Sequence, residues 1–426
     1  MTAHTEGSTS GRPRGTVVIV GASVAGVRAA GALRDEGYDG QVVLVGAEPE
    51  LPYDKPPLTK HLLSGTWDRD RITLLTREAA AALDIRLRLG AAARHLDPAG
   101  HRVLLADGSH LDYDTCLIAT GAAARPAPWP AASGVHVVRG LGDSRALRAE
   151  LRRGGPVVVV GAGFIGAEVA STARGYGCPV TLVDPLPVPM SRLLGTEVGG
   201  YFGELHRRHG ATTRFGTGVR AIHGAAGDLW VELTDGHTLA AGTVVVGIGA
   251  VPNDGWLASS GLPLDDGVVC DAYGRAGGRA DVFAAGDVAR WFSDRHQEHV
   301  RVEHWTSAVD QAVCVAHNIT HPGSPRTNPA PEYVWSDQYD WKVQIVGTPA
   351  RASGHRLIGR FSGPAARAAA LYHDPAGDLC GAVTVNWPRA LVECRRLAAG
   401  NTPAAAALDR LRGLAAGPVA AAGGVT

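Results

Sequence analysis

One local pattern occurs twice in this chain of 426 residues and restricts the folds that it can adopt. In the first copy, the β-branched run TVVIV at residues 16–20 leads into a glycine-rich turn from Gly21 to Gly26. Helix-compatible sequence follows, and a second apolar run at residues 41–45 precedes Glu48, which lies 22 residues after Gly26. This order of strand, glycine turn, helix, strand and acid is typical of a dinucleotide-binding βαβ unit.

The second copy of the pattern begins 140 residues further along the chain. The run PVVVV at residues 156–160 leads into a complete G-x-G-x-x-G turn formed by Gly161, Gly163 and Gly166. A later apolar run ends in Asp184, which lies 18 residues after Gly166. The glycines let the backbone approach a pyrophosphate, and the helix N-terminus attracts it. Two such units in one chain indicate hydride transfer between two dinucleotides.

The two copies differ in details that bear on the cofactors. Ser23 stands where the first copy would carry its middle glycine, and serine is small enough to permit a close approach. In the second copy, Asp184 would accept hydrogen bonds from ribose hydroxyls and repel a 2′-phosphate. No arginine follows Asp184 directly, although Arg192 lies eight residues further on and could contact a phosphate. We therefore expect NADH rather than NADPH at the second copy.

The composition fits a globular protein of about two to four domains, with 45% hydrophobic and 19% charged residues. Basic and acidic residues balance at 41 each, so we do not expect nucleic-acid or membrane binding. The six cysteines include no C-x-x-C pair and no metal-site spacing, which argues against a dithiol relay, a metal site and a resident iron–sulfur centre. Residues 1–14 are polar and predict a disordered leader rather than a signal peptide, so we expect a cytoplasmic protein.

Several longer segments resemble one family closely. They are LPYDKPPLTK at 51–60, LIATG at 117–121, GIGAVPN at 247–253, VFAAGDV at 282–288, VEHW at 302–305 and YVWSDQYD at 333–340. Together they resemble the ferredoxin reductases of bacterial oxygenase systems, the putidaredoxin reductase family. The first and last segments are the most specific, because other flavoproteins with disulfide-reductase-like folds lack them.

The resemblance implies an α/β fold with two Rossmann-like, glutathione-reductase-like domains and a C-terminal α+β domain. It implies an FAD-binding domain at residues 15–121 and 252–325, an inserted NADH-binding domain at 122–251, and a C-terminal domain at 326–426. Alanine- and proline-rich stretches near residues 122 and 326 suit such boundaries.

The resemblance also implies residues that contact FAD. Those of the first glycine turn and its acid are Gly21, Ser23, Gly26 and Glu48, and those of the later segments are Lys55, Lys60, Ala93, Thr120, Gly121, Arg125, Asp287, Glu303, His304, Trp305 and Trp335. Lys55 and Lys60 would lie beside the flavin and its phosphates. Asp287 would bind a ribityl hydroxyl and open a helix. We expect His304 to orient or pack rather than to act as a base.

On the nicotinamide side, the resemblance implies contacts from Phe164, Ile165 and Gly249 besides the second glycine turn. Glu168 would lie near the nicotinamide amide and orient the ring. We take Lys55, Glu168 and Trp335, which would cover the flavin near the partner, as the residues closest to the chemistry.

The predicted function is electron transfer from NADH through FAD to a small ferredoxin, which would serve a cytochrome monooxygenase or a ring-hydroxylating oxygenase. One alternative is an NADH-dependent flavoenzyme that acts directly on a small molecule, as an oxidase or as a disulfide or peroxide reductase. Another is a binding protein like apoptosis-inducing factor, which no basic surface or export signal supports. The sequence leaves monomer and homodimer open.

Overall fold

The computed structural model describes residues 15–363, 365–400 and 402–416. The predicted leader, residues 1–14, lies outside the described residues. Within the described ranges, no helix is both long enough and apolar enough to span a lipid bilayer.

The described chain is built of short strands and of α-helices that have 4 to 18 residues. The strands are β1 (Val17–Val20), β2 (Val42–Val45), β3 (Ile85–Arg88), β4 (Ala93–Asp97), β5 (Arg102–Leu105), β6 (His110–Asp112), β7 (Thr115–Ile118), β8 (Ala122–Ala124), β9 (Val135–His136), β10 (Val157–Val160), β11 (Val180–Asp184), β12 (Thr212–Phe215), β13 (Val219–Ala225), β14 (Asp228–Leu233), β15 (Thr238–Ala241), β16 (Thr243–Val246), β17 (Ala250–Pro252), β18 (Val268–Cys270), β19 (Val282–Ala284), β20 (Ala289–Ser293), β21 (Glu298–Arg301), β22 (Tyr333–Gln338), β23 (Trp341–Gly347), β24 (Gly354–Arg360), β25 (Arg367–His373) and β26 (Leu379–Val385). The α-helices are α1 (Val24–Asp35), α2 (His61–Ser64), α3 (Arg77–Ala82), α4 (Leu141–Arg153), α5 (Phe164–Gly175), α6 (Ser191–Arg208), α7 (Trp305–Thr320), α8 (Pro388–Ala398) and α9 (Ala404–Ala416). Short 3-10 helices cover Pro56–Thr59, Asp70–Ile72, Gly255–Leu257 and Pro349–Arg351.

The described residues divide into two compact units. The first comprises residues 15–54, Thr73–Ala122 and Pro252–Pro329. The second comprises Lys55–Ile72, Ala123–Val251 and the described residues from Ala330 onwards. The segments predicted as the NADH-binding and C-terminal domains thus lie in one unit. The segment Lys55–Ile72 belongs to the same unit.

The core of the first unit is a five-stranded parallel sheet in the order β19-β7-β1-β2-β3. The central strand β1 (VVIV) and its neighbour β2 (VVLV) are completely buried. Parallel strands covered on both faces form continuous apolar runs, which explains why neither shows polar alternation. Helices α1 and α7 pack against each other and add small side chains such as Ala29 and Ala312 to the core. The smaller sheets β4-β5-β6 and β18-β20-β21 belong to the same unit.

The second unit repeats this plan with a parallel sheet in the order β12-β11-β10-β16-β9. Its central strand β10 (VVVV) is completely buried and pairs with β11 and β16 as β1 pairs with β2 and β7. The predicted pair of Rossmann-like folds is therefore confirmed.

The carboxyl end of the chain forms an antiparallel sheet in the order β22-β23-β26-β25-β24. Helices α8 and α9 cover one face with side chains such as Leu391 and Leu411. Helix α6 contributes to a core with β23, where the rings of Phe202 and Trp341 meet edge to face at 5.3 Å. The predicted α+β character of this region is confirmed, and α6 explains why it belongs to the second unit.

Candidate cofactor sites

The first glycine turn lies between β1 and α1, and its backbone requires glycine at two positions. Gly21 has a φ of 123°, and a Cβ atom there would lie 2.0 Å from the carbonyl oxygen of Ala119. A Cβ atom on Gly26 would lie 1.9 Å from the carbonyl oxygen of Gly21. Ser23 precedes α1 in extended conformation and makes no side-chain capping hydrogen bond. The N–H groups of the first helical turn therefore remain available to an anion.

The second glycine turn repeats this geometry between β10 and α5. A Cβ atom on Gly161 would lie 2.2 Å from the carbonyl oxygen of Gly247. A Cβ atom on Gly166 would lie 1.9 Å from the carbonyl oxygen of Gly161. The middle residue, Gly163, has a φ of −78°, and a Cβ atom there would meet nothing within 4 Å. The fold itself does not require glycine at this position, and the open space there is wide enough for a pyrophosphate to approach the backbone closely.

The acids that end the two patterns are held in different ways. Asp184 is buried, and its Oδ2 and Oδ1 accept hydrogen bonds from the N–H groups of Ala162 at 2.7 Å and Leu186 at 2.8 Å. A carboxylate has about four lone-pair sites, so Asp184 can still accept bonds from ribose hydroxyls. Glu48 is exposed, and the hydroxyl of Tyr53 donates to its Oε2 at 2.5 Å. Each unit thus has a turn, an uncapped helix and an acid that fit a dinucleotide.

Thr120 and Gly121 follow β7 in the first unit and are held by Asn253. The hydroxyl of Thr120 donates to the carbonyl oxygen of Asn253 at 2.8 Å, and the Asn253 amide donates back to the Thr120 carbonyl at 2.9 Å. Gly121 takes a φ of 66°, which a larger residue would adopt only with strain. Ala93, another predicted contact, begins β4 and packs half-buried against the core of this unit.

Asp287 lies in a turn, and the predicted helix after it is wrong. After β19, Gly286 takes a φ of 79°, and the chain runs through Asp287 directly into β20. Residues 289–292 (ARWF) alternate between buried and half-buried, and β20 pairs with β18 and β21. This period of two is that of a strand, not a helix. The carbonyl oxygen of Asp287 accepts a hydrogen bond from Arg301 at 3.1 Å.

The predicted residues Glu303, His304 and Trp305 lie at the start of α7. Trp305 is the first helical residue, and its Nε1 donates to Oδ1 of Asp54 at 2.7 Å. His304 precedes the helix in extended conformation and makes no side-chain capping hydrogen bond. Glu303 is exposed and forms an ion pair with Arg301 at 2.6 Å. The tryptophan thereby ties the start of α7 to the LPYD segment of the same unit.

Glu168 lies on α5 at the centre of a buried polar network and is only 3% exposed. Its Oε1 lies 2.8 Å from Nζ of Lys60 and accepts a hydrogen bond from the hydroxyl of Ser336 at 2.7 Å. Its Oε2 accepts a hydrogen bond from the hydroxyl of Thr59 at 2.5 Å. A buried carboxylate needs such partners to offset its loss of hydration. The two most specific segments of the sequence, PPLTK and WSDQ, therefore converge on one carboxylate.

Two further predicted residues belong to the second unit. Lys55 directly precedes the 3-10 helix Pro56–Thr59, and its ammonium donates to the carbonyl oxygen of Arg139 at 3.4 Å. Trp335 lies half-buried on β22, where its ring stacks on that of Tyr333 with centroids 6.2 Å apart.

The remaining predicted residues lie around the second glycine turn and on α6. The N–H of Arg125 donates to the carbonyl oxygen of Gly249 at 2.9 Å, and Gly249 has a φ of 106°. Phe164 and Ile165 form the first turn of α5, and Ile165 is 42% exposed. Arg192 is exposed in the first turn of α6.

Comparison with known proteins identifies the family. Residues 15–312 match the family model described as pyridine nucleotide-disulphide oxidoreductase, and residues 333–411 match that described as reductase C-terminal. Over 391 residues the chain is 36% identical to rhodocoxin reductase of Rhodococcus erythropolis, covering 91% of this chain and 90% of that protein. The chain belongs to the ferredoxin reductases of oxygenase systems.

Other members of the family agree. Over 393 residues the chain is 40% identical to the ferredoxin–NAD(+) reductase component of the anthranilate 1,2-dioxygenase system of Burkholderia cepacia, covering 91% and 95% of the two chains. The reductase in the crystal structure of the covalent putidaredoxin reductase–putidaredoxin complex matches with a TM-score of 0.87 and 30% identity, covering 92% of this chain and 94% of that chain. The resemblance inferred from the sequence motifs is thus confirmed.

The cysteines do not suit the disulfide chemistry in the name of the wider family. All six are free, and five of them are buried. Burial raises the pKa of Cys314 to about 11 and that of Cys116 well above its usual range. The thiolate is the nucleophile in disulfide exchange, so thiols held protonated in this way are poorly suited to a dithiol relay.

Several residues that hold the predicted groups have no role in our sequence predictions. They are Tyr53, Asp54, Thr59, Asn253 and Ser336. Each is polar and lies inside a family segment, next to or near a predicted residue. That adjacency is the signal that could have identified them, because a polar residue beside a buried charge commonly supplies its hydrogen bonds.

Proposed function

We propose that this chain is an FAD-dependent NADH:ferredoxin oxidoreductase. It transfers electrons from NADH through flavin to a small iron–sulfur ferredoxin, which delivers them to a cytochrome monooxygenase or a ring-hydroxylating oxygenase. The observation that carries the proposal is one glycine-rich dinucleotide-binding turn in each unit of a member of this reductase family. When bound, FAD accepts electrons from NADH in pairs and releases them singly, which couples a nicotinamide to a one-electron carrier.

The first unit holds FAD in this proposal. The N–H groups at the start of α1 bind the pyrophosphate, and Ser23 is small enough to let it approach. Glu48, with its carboxylate oriented by Tyr53, accepts hydrogen bonds from the adenosine ribose. Asp287 binds a ribityl hydroxyl from its turn rather than from a helix. Lys60, Arg125 and the other predicted FAD contacts remain part of the proposal.

The second unit holds NADH. The open space at Gly163 admits the pyrophosphate, and Asp184 takes the ribose hydroxyls with the lone pairs that its backbone partners leave. A phosphate on the 2′-oxygen would bring a second negative charge against this buried carboxylate, so NADH is preferred over NADPH.

Glu168 positions the nicotinamide carboxamide. Its ion pair with Lys60 and two hydroxyl donors fix the carboxylate in one orientation. A carboxylate held in this way can orient the nicotinamide ring for hydride transfer without changing its own position. Such positioning is the main contribution of a protein to this reaction.

The arrangement of the whole protein is proposed as well. An FAD domain at 15–121 and 252–325, an NADH domain at 122–251 and a C-terminal domain from 326 accord with the two parallel sheets and the antiparallel sheet. The cytoplasm is the proposed location, because it supplies NADH and keeps free thiols reduced. The protein acts as a monomer or homodimer and meets its ferredoxin transiently.

The test uses the purified holoprotein under anaerobic conditions. We expect NADH to bleach the flavin absorbance rapidly and NADPH to do so slowly. Cytochrome c should then be reduced rapidly only when a ferredoxin is added. If ferredoxins of several cluster classes fail while a small organic acceptor turns over, the protein acts directly on a small molecule and the proposal is wrong.

A matched pair of tryptophan variants tests the partner side. Trp335→Ala should slow ferredoxin-dependent cytochrome c reduction more than flavin bleaching by NADH, because the proposed position of Trp335 is against the flavin near the partner. Trp230→Ala removes a tryptophan of the same unit that is partly exposed on β14 and should leave both rates unchanged. Equal rates in the two variants would remove Trp335 from the electron-transfer route.

A further inference from the structure

Glu36, His317 and His321 form a cluster in the first unit that the electron-transfer function does not use. Glu36 follows the last residue of α1, His317 lies in the last turn of α7, and His321 follows that helix. Oε2 of Glu36 lies 3.2 Å from Nδ1 of His317 and 3.4 Å from Nδ1 of His321. The two imidazole rings stack with centroids 4.5 Å apart. One oxygen and two nitrogens therefore lie within 4.8 Å of one another, close enough to be ligands of one ion.

The hydrogen bonds of His317 determine what Nδ1 can do. Its Nε2 lies 3.2 Å from the carbonyl oxygen of Ser324, and a carbonyl oxygen only accepts hydrogen bonds. Nε2 therefore carries a proton, which leaves Nδ1 as the ring atom that can bind a cation beside the Glu36 carboxylate. A histidine that donates its other N–H to a backbone carbonyl is the usual arrangement of a metal ligand.

The electrostatics of the surroundings also favour a cation. Helices α1 and α7 both end at this cluster, and each helix C-terminus carries a partial negative charge. The carboxylate of Glu36 adds a full negative charge to them. Nδ1 of His321 is buried and has no hydrogen-bond partner among the described residues, although 41% of the side chain is exposed. The exposed remainder leaves a path for an ion from solvent.

We propose that Glu36, His317 and His321 bind a first-row divalent metal ion, with Zn²⁺ as the favoured occupant. Ligand atoms about 2.0–2.1 Å from a tetrahedral ion lie about 3.3 Å apart, close to the 3.2 Å and 3.4 Å from Glu36 to the two histidines. Because the two imidazole rings are stacked, at least one of them turns on binding so that both nitrogens are directed at the same ion. Two imidazoles and one carboxylate suit zinc, whereas Mg²⁺ and Ca²⁺ prefer oxygen ligands.

An ion at this position ties the carboxyl end of α1 to that of α7. The same two helices begin at the first glycine turn and at the His304–Trp305 segment, respectively. The site is therefore structural: it holds the relative position of the two helices, and the reaction does not pass through it.

The test measures zinc binding to the holoprotein after chelator treatment and dialysis. Zn²⁺ is titrated in competition with a fluorescent chelator, and the unfolding midpoint is followed with and without zinc. We expect one zinc ion to bind per chain, with an affinity typical of a site that has three protein ligands. Zinc should raise the midpoint of unfolding, and Mg²⁺ or Ca²⁺ should not compete for the site. Loss of a partner that only orients a ligand weakens metal binding about 10- to 100-fold, so His321→Ala should weaken it by at least about tenfold.

His321→Ala is the main variant because its side chain is partly exposed and its removal spares the core. Glu36→Gln keeps the shape of the glutamate and should also weaken zinc binding. His223→Ala is the matched control, since the exposed His223 pairs with Glu232 at 3.3 Å and belongs to no three-ligand cluster among the described residues. If wild type, His321→Ala and His223→Ala bind zinc alike, Glu36 instead pairs with a protonated His317 and the proposal is wrong.

Discussion

Glu168→Gln tests whether the buried network of the second unit depends on charge. The substitution keeps the shape of the side chain but leaves the ammonium of Lys60, only 11% exposed, without its counter-ion. It also replaces one carboxylate oxygen with an amide NH2, which cannot accept the hydrogen bond that Thr59 or Ser336 donates there. Removing one partner of a buried ion pair costs about 3–5 kcal/mol. For a unit of about 150–250 residues, this corresponds to a fall of roughly 6–20 °C in the unfolding midpoint.

Differential scanning calorimetry of the holoprotein measures this fall in the unfolding midpoint. Two further variants show whether the fall is caused by the unpaired buried charge. Glu168→Gln combined with Lys60→Met removes both charges and should recover most of the loss, because an apolar replacement of a buried pair is often neutral. Glu204→Gln breaks the exposed pair with Arg207 at 3.1 Å and should shift the midpoint by no more than about 2 °C. A single variant as stable as wild type, or a double variant no better than the single, would refute the reasoning.

Three further predictions concern the second unit. Gly163→Ala should raise the KM for NADH and leave the unfolding midpoint unchanged, because its Cβ meets no protein atom. Gly166→Ala should also lower the unfolding midpoint, because its Cβ would lie 1.9 Å from a carbonyl oxygen. Equal unfolding midpoints in the two variants would contradict the prediction. Asp184→Ala should raise the KM for NADH at least about tenfold, since hydrogen bonds to a charged group contribute about 1.5–3 kcal/mol each; unchanged NADH kinetics would remove Asp184 from the ribose site. Burial lowers the pKa of His206 to about 4 from its ordinary 6.5. The contribution of the neutral His206 to folding stability is therefore complete above pH 6.5 and is lost as the pH falls toward 4. The total loss in the free energy of unfolding is about 3 kcal/mol. Urea unfolding at a series of pH values should show this slope in wild type and not in His206→Gln.

Much of the fold could be predicted because its signals are local. The completely apolar strands β1 and β10 are each followed immediately by a glycine turn, and the positive φ of Gly21 and Gly161 can be inferred from the motif alone. The acid Asp184 could be predicted in the same way, since it ends the strand next to the turn. In each case the residues that determine the geometry lie within about 25 residues of one another.

The rest depends on partners that are distant in the chain. The glycine–aspartate turn at Asp287 precedes a strand rather than a helix because β20 pairs with β18 and β21, which its own sequence does not reveal. Glu168 meets Ser336 across 168 residues. Glu36 and His317 lie 281 residues apart, so no spacing rule predicts their cluster.

The path of the chain through the two units has a consequence for synthesis. All residues of the first unit are available once Pro329 has left the ribosome, whereas the second still lacks its five-stranded antiparallel sheet. Lys55–Ile72 is made early, but Ser336, one of the partners of its network, is made more than 260 residues later. Domains fold as their segments emerge from the ribosome. The nascent chain can therefore fold its first unit before Ser336 is available to the network that Lys55–Ile72 enters. Translation therefore supplies all residues of the first unit before it supplies all residues of the second.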